Sequence, residues 1–355
     1  MEPISFTHAT IPAECLPSEE LADCAATALG RDGKTLLSYG SGAGYTPLRE
    51  LIASWFDVHP YRVVITNGSQ QALRLLADCL VPGQPVLVES PTSNRSRAQF
   101  LEAGAWINTI VVDEDGLNLD DLGLTLQTRI RPAFLYMTPT FQNPTGTVLP
   151  ASRRRPLVQV AEARGLRIVE DDPWSLLRLD GEAVPALFDF SEKRTIYLSS
   201  FSATIAPGLR VGWLILPDDL APTVIEAANN RYITPSLLGQ ATAFEFINRG
   251  AFGPQVERVR EALRVRRDAT LAALDRHFPT LARWNRPTGG PFIWLQALES
   301  IDLRPVMARA EGVTALDGTV FGAPSDRIRL AYSGVDPERI EEGVAALAAA
   351  FTQTD

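Results

Sequence analysis

Short apolar runs alternate with longer amphipathic stretches along most of the chain. Seven runs have the length and apolar content of buried strands, and they cover residues 62–66, 85–89, 106–112, 133–137, 166–170, 195–198 and 211–215. Stretches with apolar residues at helical spacing, such as 48–55 and 73–80, separate most of these runs. The alternation predicts an α/β fold whose mostly parallel sheet is covered by helices on both faces.

The pattern changes in the last third of the chain. Residues 217–285 are mainly helical and rich in arginine, whereas short strands and two helices follow Pro287-Thr288-Gly289-Gly290. We therefore predict a large domain over residues 46–285 and a smaller α+β domain over residues 286–355. The N-terminal segment 1–45 is expected to contribute to the smaller domain.

Charge and composition exclude several classes of protein. The 355 residues include 42 acidic and 33 basic side chains, and the net charge of −9 argues against a nucleic-acid-binding protein or one held to anionic lipid. The first residues lack the features of a signal peptide, and no apolar run is long enough to span a membrane, so a cytoplasmic protein is expected. The three cysteines and three histidines are too scattered to predict a metal site.

Polar motifs follow several of the predicted strands, where parallel sheets place ligands. Asn67-Gly68-Ser69-Gln70-Gln71 lies between a strand and a helix, so its backbone N–H groups can bind an anion such as phosphate. A simple N-cap is the alternative interpretation. Ser199–Trp213 is more specific, because several hydroxyl groups and Arg210 surround one point, which suits a phosphate group.

Two further motifs allow either a structural or a chemical interpretation. Asn143 lies in Asn143-Pro144-Thr145-Gly146, which is also an ordinary turn sequence. Glu170-Asp171-Asp172 ends a strand, and three adjacent acids repel one another unless a cation or a protonated partner is near. A solvated loop with helix caps is one interpretation, and a carboxylate paired with a protonated ring nitrogen is the other.

Together these motifs, in this order and spacing, resemble the fold-type-I, pyridoxal-phosphate-dependent aminotransferases of class I/II. The chain is most similar to the 2-aminoadipate aminotransferases and to the aminotransferase domains of MocR-type regulators, from about Tyr39 to the C-terminus. The resemblance implies a large domain with a mostly parallel central sheet, a smaller α+β domain, and pyridoxal 5′-phosphate as cofactor. It also implies an amino-acid substrate and a homodimer whose interface includes residues from segment 1–45.

The resemblance implies roles for five residues around the cofactor's phosphate. Ser69 and Gln70 resemble the family's phosphate loop, and Ser200, Ser202 and Arg210 resemble further phosphate ligands.

Four other residues acquire roles in the same way. Tyr39 resembles the tyrosine that reaches the phosphate of the neighbouring subunit, and Asn143 resembles the donor to the cofactor's 3-oxygen, next to the substrate. Asp171 resembles the carboxylate that keeps the pyridine nitrogen protonated, so that the ring withdraws electrons. Arg329 resembles the arginine that binds the substrate's α-carboxylate in a bidentate manner.

Three positions depart from the family's pattern. Ala203 stands where the family has the lysine that is linked to the cofactor and moves the substrate's proton, and neither Lys34 nor Lys193 lies in a suitable motif. A methyl group can do neither, so the chain as given is expected to be nearly inactive. Ser93 replaces a tyrosine that stacks on the ring, and Trp174 replaces a tyrosine that donates to the 3-oxygen.

These departures leave several functional hypotheses open. Aminotransfer from an α-amino acid to a 2-oxo acid is preferred, with Ala203 interpreted as an engineered, inactivating replacement of lysine. The alternatives are elimination, replacement or carbon–carbon bond formation on the same cofactor, or a non-catalytic module that binds cofactor and amino acid. Arg95 and Arg97 are either solvated arginines or an anion-binding mouth, and Arg95 is therefore a candidate substrate ligand.

Overall fold

The structure is a computed structural model that describes residues 3–299 and 301–352. Its strands are β1 (Ile4–Ser5), β2 (Val63–Thr66), β3 (Pro85–Ser90), β4 (Trp106–Asp113), β5 (Gly116–Leu117), β6 (Leu135–Met137), β7 (Ile168–Asp171), β8 (Thr195–Ser200), β9 (Gly212–Ile215), β10 (Ala282–Trp284), β11 (Phe292–Ala297), β12 (Val313–Thr314), β13 (Leu316–Asp317) and β14 (Arg327–Ala331). The helices are α1 (Ser18–Leu36), α2 (Thr46–Trp55), α3 (Ser69–Leu80), α4 (Asn94–Glu102), α5 (Leu119–Gln127), α6 (Ala151–Arg164), α7 (Ala221–Tyr232), α8 (Leu237–Asn248), α9 (Phe252–His277), α10 (Leu303–Arg309) and α11 (Pro337–Thr352).

The seven predicted strands form one central sheet. Its eight strands have the order β2-β9-β8-β7-β6-β3-β4-β5. The five strands from β8 to β4 are parallel, whereas β9 is antiparallel to both of its neighbours and β5 is antiparallel to β4. The prediction of a mostly parallel sheet covered by helices is therefore confirmed.

Alternate residues of the central strands enter different cores, because successive side chains point to opposite faces of a sheet. On one face, Tyr136, Val169 and Leu198 pack in a cluster with α3 and α7. On the other face, Leu135 and Ile168 pack against α5 and α6. The strands are thus held from both sides, which fixes the positions of the loops that leave their carboxyl ends.

A second sheet lies in the C-terminal part of the chain. It has four antiparallel strands in the order β10-β11-β14-β13, and a separate parallel pair joins β1 to β12. The N-terminal segment therefore contacts both parts, since β1 pairs beside the smaller sheet while α1 packs against α8. The boundary at residue 286 stays a prediction, and β10 precedes it although it pairs with β11.

Candidate active site

A cavity of about 660 Å³ lies at the carboxyl ends of β6, β7 and β8 and is bordered on its other side by residues of the smaller sheet. Of the thirteen residues proposed from the sequence, twelve line it: Ser69, Gln70, Ser93, Arg95, Asn143, Asp171, Trp174, Ser200, Ser202, Ala203, Arg210 and Arg329. The thirteenth, Tyr39, does not line the cavity and has 86% of its surface exposed.

One end of the cavity is formed by the start of α3. The helix begins at Ser69, and Gly68 before it has a φ of 90°, which an L side chain rarely adopts. A Cβ at Gly68 would lie 2.4 Å from the guanidinium of Arg210, and one at Gly212 would lie 2.7 Å from the Gly68 carbonyl carbon. The missing side chains therefore let Arg210 and β9 approach the helix start, whose N–H groups attract anions.

Hydroxyl groups and a cation complete this end. Arg210 donates to the backbone oxygens of Asn67 (2.9 Å) and Pro207 (3.2 Å). Ser200 ends β8, and its hydroxyl accepts from the backbone N–H of Ser202. Ala203 follows with only 5% of its surface exposed, and its methyl group belongs to the apolar core beside the cavity.

Asp171, at the end of β7, lines the cavity and is 8% exposed. Tyr136 donates to its Oδ2 across 2.6 Å, whereas its buried Oδ1 has no partner among the described residues. Burial raises the pKa of Asp171 to about 7, against the opposing effect of the Tyr136 hydrogen bond and with a smaller contribution from Asp172. The site thus holds a buried acceptor that lacks a donor.

The two acids next to Asp171, Glu170 and Asp172, form hydrogen bonds with other parts of the chain. Glu170 accepts hydrogen bonds from the backbone N–H groups of Leu187 and Phe188, both at 2.9 Å. Asp172 accepts from the hydroxyl of Tyr197 at 2.7 Å. All three acids are buried, so the interpretation of this motif as a solvated loop is wrong.

The other end of the cavity is built around Arg329 on β14. Its guanidinium lies 4.6 Å from the ring centres of Phe292 and Phe321, and it donates to Oδ1 of Asn143 (2.8 Å) and to the backbone oxygen of Thr7. Its buried Nε has no partner among the described residues. Burial, reinforced by the positive charge of Arg95, lowers the pKa of Arg329 to about 10, so it remains a cation at neutral pH.

Two of the family departures have local structural consequences. Ser93 is the N-cap of α4, because its hydroxyl accepts from the backbone N–H of Ser96 at 3.4 Å. Arg95 lies in the first turn of the same helix and lines the cavity. Trp174 packs edge-on against Phe292, with ring centres 5.8 Å apart, and both side chains line the cavity.

Comparison with known proteins decides the family. The model for "Aminotransferase class I and II" matches residues 15–347. The chain belongs to the class I and II aminotransferases.

Relatives of two kinds support this assignment to the aminotransferases. The 2-aminoadipate transaminase of Thermus thermophilus is 36% identical over 98% of this chain and 90% of its own length. The probable rhizopine catabolism regulatory protein MocR of Rhizobium meliloti is 31% identical over 89% of this chain, which covers 66% of that protein. The resemblance to both branches is therefore confirmed.

A solved structure confirms the aminotransferase fold. It is LysN, an α-aminoadipate aminotransferase from Thermus thermophilus in complex with N-(5′-phosphopyridoxyl)-L-leucine. It superposes with a TM-score of 0.94 at 36% identity and covers 98% of this chain and 92% of its own. Pyridoxal phosphate as the cofactor is thus confirmed at the level of the family.

The residues of this chain fit that cofactor on their own geometry. The partnerless Oδ1 of Asp171 is an acceptor for a protonated ring nitrogen, and the start of α3 with Arg210 is a cradle for a phosphate group. Oδ1 of Asn143 is already used by Arg329, so the NH2 group is the end that can donate to an oxygen on the ring.

Sequence reasoning missed some residues of the aminotransferase site. The pattern indicates Tyr136 only as part of a strand, and it is the register between β6 and β7, together with period-two alternation, that places it on the same face as Asp171. The segment 7–11, which includes His8, also lines the cavity. Its composition gives no signal, since contacts with distant parts of the chain bring it there, among them the pairing of β1 with β12 and the hydrogen bond from the Thr10 backbone N–H to Ser333.

The remaining expectations concern metals and membranes. Among residues 3–299 and 301–352, no group of three or more His, Cys, Asp or Glu side chains could hold a metal ion. No helix in the same described ranges combines the length and the apolar character needed to cross a bilayer.

Proposed function

We propose that this chain binds pyridoxal 5′-phosphate and an α-amino acid in the cavity, and that a form with lysine at position 203 transfers the amino group to a 2-oxo acid. The observation that carries the proposal is the buried, partnerless Oδ1 of Asp171 between a phosphate cradle and an unpaired arginine cation. Membership of the class I and II aminotransferases supports the reaction type.

The proposed roles at the cofactor follow from charge and hydrogen-bonding capacity. Ser69, Gln70, Ser200, Ser202 and Arg210 hold the phosphate through charge-assisted hydrogen bonds. When bound, the cofactor supplies a protonated ring that withdraws electrons from the bonds at the substrate's Cα.

Three further residues hold the ring. Asp171 is buried, and the positive charge of the protonated ring nitrogen favours its ionised form. The ionised carboxylate in turn keeps that nitrogen protonated. Asn143 donates to the 3-oxygen, and the indole N–H of Trp174 is a second donor at the same edge.

Arg329 is the proposed ligand of the substrate's α-carboxylate. It is a buried cation between two aromatic rings, and no carboxylate of the described residues forms an ion pair with it. Burying such a charge without an anion is unfavourable, so a carboxylate that enters the cavity is strongly bound.

Arg95 is the proposed ligand of a second negative charge on the substrate. It lines the same cavity, its positive charge acts on Arg329, and no hydrogen bond or ion pair joins it to the described residues. The related transaminase is named for 2-aminoadipate, which carries a second carboxylate. An acidic amino acid is therefore the substrate class that these two arginines favour.

Ala203 determines what the chain can do as it stands. Moving the proton at Cα requires a base beside the ring, and a methyl group at this position is neither a base nor a nucleophile. Lys34 and Lys193 do not line the cavity and offer no substitute. We therefore propose that the given chain binds its ligands but is nearly inactive. A deliberate replacement of lysine remains one explanation.

Tyr39 supports the proposed homodimer. Its side chain is 86% exposed on one protomer, as a residue that reaches into a neighbouring subunit would be. Leu37, also exposed at 75%, adds apolar area to the same segment, which favours association. A cytoplasmic location stays a prediction.

Ala203 also favours a second candidate, a non-catalytic module that binds cofactor and amino acid. Similarity to the MocR regulator supports it. The small side chain of Ser93 favours a further alternative, elimination or replacement at the substrate side chain, because it leaves one face of the ring open.

The deciding experiment restores the amine at position 203. We expect Ala203→Lys, loaded with pyridoxal phosphate, to gain the absorbance of cofactor linked to lysine and to convert an added 2-oxo acid into a new amino acid. Ala203→Met, which is of similar length but lacks the amine, is the matched control and should gain neither.

Each alternative predicts a different result with Ala203→Lys. Loss or exchange of a side-chain group, without a new amino acid, supports elimination or replacement. Cofactor-linked absorbance without any turnover across a panel of amino acids supports the binding module. Failure of both the lysine form and the given chain to bind the cofactor contradicts the proposal.

A further inference from the structure

Three buried side chains form a short hydrogen-bonded series in the wall of the cavity. Tyr136, 1% exposed, lies 2.6 Å from Oδ2 of Asp171 and 2.8 Å from the hydroxyl of Ser96, which is also 1% exposed. The series links the central strands to the first turn of α4, because the backbone N–H of Ser96 donates to Ser93. All four residues line the cavity.

The register of the sheet explains why Tyr136 reaches Asp171. Tyr136 on β6 is paired with Val169 on β7, and Asp171 lies two residues further along β7. Residues two apart share one face of a strand, so Tyr136 and Asp171 are diagonal neighbours on the same side of the sheet.

The number of protons determines which group donates in each hydrogen bond of the series. A tyrosine hydroxyl has one proton, so Tyr136 that donates to an ionised Asp171 must accept from the hydroxyl of Ser96. If Asp171 carries the proton on Oδ2, both hydrogen bonds reverse. The arrangement in which Tyr136 donates therefore accompanies the ionised carboxylate and uses its Oδ2.

We propose that Tyr136 is a positioning residue for the cofactor: its hydroxyl, held by Ser96, occupies Oδ2 of Asp171 and so presents an ionised Oδ1 to the ring nitrogen. This inference rests on the proposed function for its ligand, but its geometry belongs to the chain alone. It assigns to Tyr136 a role that neither the sequence motifs nor the comparisons gave.

The ionisable groups around Asp171 lie on β3, on β6 and directly after β7. Asp172 follows Asp171 immediately after the end of β7 and contributes to raising its pKa. The buried Glu89 lies on β3, and the charge of Asp171 contributes to raising the pKa of Glu89. On the opposite side β8 contributes the apolar Leu198 as the partner of Asp171. Of these neighbours, Tyr136 on β6 alone lowers the pKa of Asp171.

The other face of the same sheet provides a matched control. Tyr197 on β8 is paired with Glu170, and it donates to Asp172, two residues further along the chain, across 2.7 Å. This repeats the diagonal geometry of Tyr136 and Asp171, but neither Tyr197 nor Asp172 lines the cavity around the cofactor site. Tyr197→Phe therefore removes an equivalent hydrogen bond without touching Asp171.

The test measures binding of pyridoxamine 5′-phosphate as a function of pH. This probe carries its own amine, so the chain can be used with Ala203 in place. On the acid side Asp171 must lose a proton before it pairs with the ring, so affinity falls about tenfold per pH unit below its pKa. Tyr136→Phe removes a stabilising hydrogen bond from the carboxylate, and we expect about tenfold weaker binding near about pH 6 with recovery at higher pH.

Several outcomes overturn the proposal. A loss of affinity that is equal at every pH, or the same loss in Tyr197→Phe, would indicate a merely structural effect. Ser96→Ala should shift the acid limb in the same direction by a smaller amount, and it replaces Tyr136→Phe if that variant does not fold.

A second measurement separates this proposal from the proposed function. Carbon NMR of the Asp171 carboxyl group in the cofactor-free chain should show its titration moving to higher pH in Tyr136→Phe and staying in place in Tyr197→Phe. An unchanged titration overturns the role of Tyr136. A shifted titration in a chain that does not bind the probe contradicts the cofactor assignment while the role of Tyr136 stands.

Discussion

At one end of the cavity a cradle is formed by the start of α3, by Arg210, and by two serines, one that ends β8 and one just after it. These groups lie in two short stretches of sequence. At the other end Arg329 is held by Asn143, Thr7 and two aromatic rings from four separate parts of the chain. The first end depends on backbone conformation and close approach. The second depends on a single buried charge that tertiary contacts keep in place.

This difference teaches where each end is vulnerable. In the proposed function several weak donors share a phosphate, so we expect the loss of one of them to be tolerated, whereas a shift of the backbone at Gly68 should move them together. Arg329 is the proposed ligand of the α-carboxylate, so a change at its side chain should remove most of that interaction.

The largest effect is expected at Arg329. Arg329→Lys keeps the charge but loses the bidentate geometry, and we expect affinity for an α-amino acid to fall about 100-fold. Affinity for pyridoxamine 5′-phosphate should change by less than about threefold. Titration of the cofactor-loaded chain with L-glutamate measures the first effect.

Arg327→Lys is the control for this prediction. Arg327 lies two residues away on β14 and does not line the cavity. If Arg329→Lys weakens cofactor and amino acid equally, the two ends are not independent and the contrast fails.

Asp171 lies between the two ends and is tested through pH. Its pKa in the fold, about 7, is above the ordinary value, so its contribution to stability is fully present at low pH and is lost as the pH rises towards 7. The free energy of unfolding of the cofactor-free chain should therefore decrease between about pH 5 and pH 7. Asparagine cannot ionise, so in Asp171→Asn we expect this decrease to be smaller by about 2 kcal/mol. Urea unfolding at several pH values measures this difference.

The control is Glu245, a carboxyl group whose pKa is shifted in the opposite direction. Hydrogen bonds from Arg31 and Arg249 lower the pKa of Glu245, so its contribution is lost as the pH falls. Glu245→Gln should flatten the acid side of the stability curve instead.

Asp171→Asn should also abolish the pairing with the ring nitrogen, and unchanged affinity for pyridoxamine 5′-phosphate would contradict the role of Asp171.

A smaller effect is expected at the phosphate end. Gly68→Ala strains a positive φ and drives a Cβ towards Arg210, and we expect about tenfold weaker binding of pyridoxamine 5′-phosphate. Gly83 has a φ of 73° with open space around it, so Gly83→Ala shares the strain but not the contact. Equal affinities in the two variants would show that the approach of Arg210 is unimportant.

The same contrast explains how much the sequence predicts. The phosphate end is built largely from one short stretch of sequence, in which a strand, a glycine and the start of a helix follow one another. The pattern of residues 63–80 therefore predicts it. The strands and their parallel pairing follow from apolar runs separated by helices, and the acidic motif 170–172 stands out by its place at a strand end. The choice of Asp171 within that motif rests on the resemblance to the family.

The substrate end is predicted only through the resemblance to a family. Nothing in the composition of segment 7–11 indicates that β1 pairs with β12 and brings His8 to the cavity. Tyr136 required the register between β6 and β7, which period-two alternation permits but does not determine. Contacts between distant parts of a chain depend on such registers, and short motifs do not encode them.

Arg95 is the residue with the smallest expected effect, because its side chain is exposed and an exposed ion pair contributes little. Arg95→Ala should weaken binding of L-glutamate to the cofactor-loaded chain by about fivefold and leave L-glutamine unchanged, since only the former carries a second charge. Arg97→Ala, two residues along α4 and outside the cavity lining, should change neither affinity. Added salt should reduce the difference between the two ligands, because an exposed pair is screened. If L-glutamate binds equally well to both variants, the substrate end holds only the α-carboxylate, and Arg95 is one more solvated arginine.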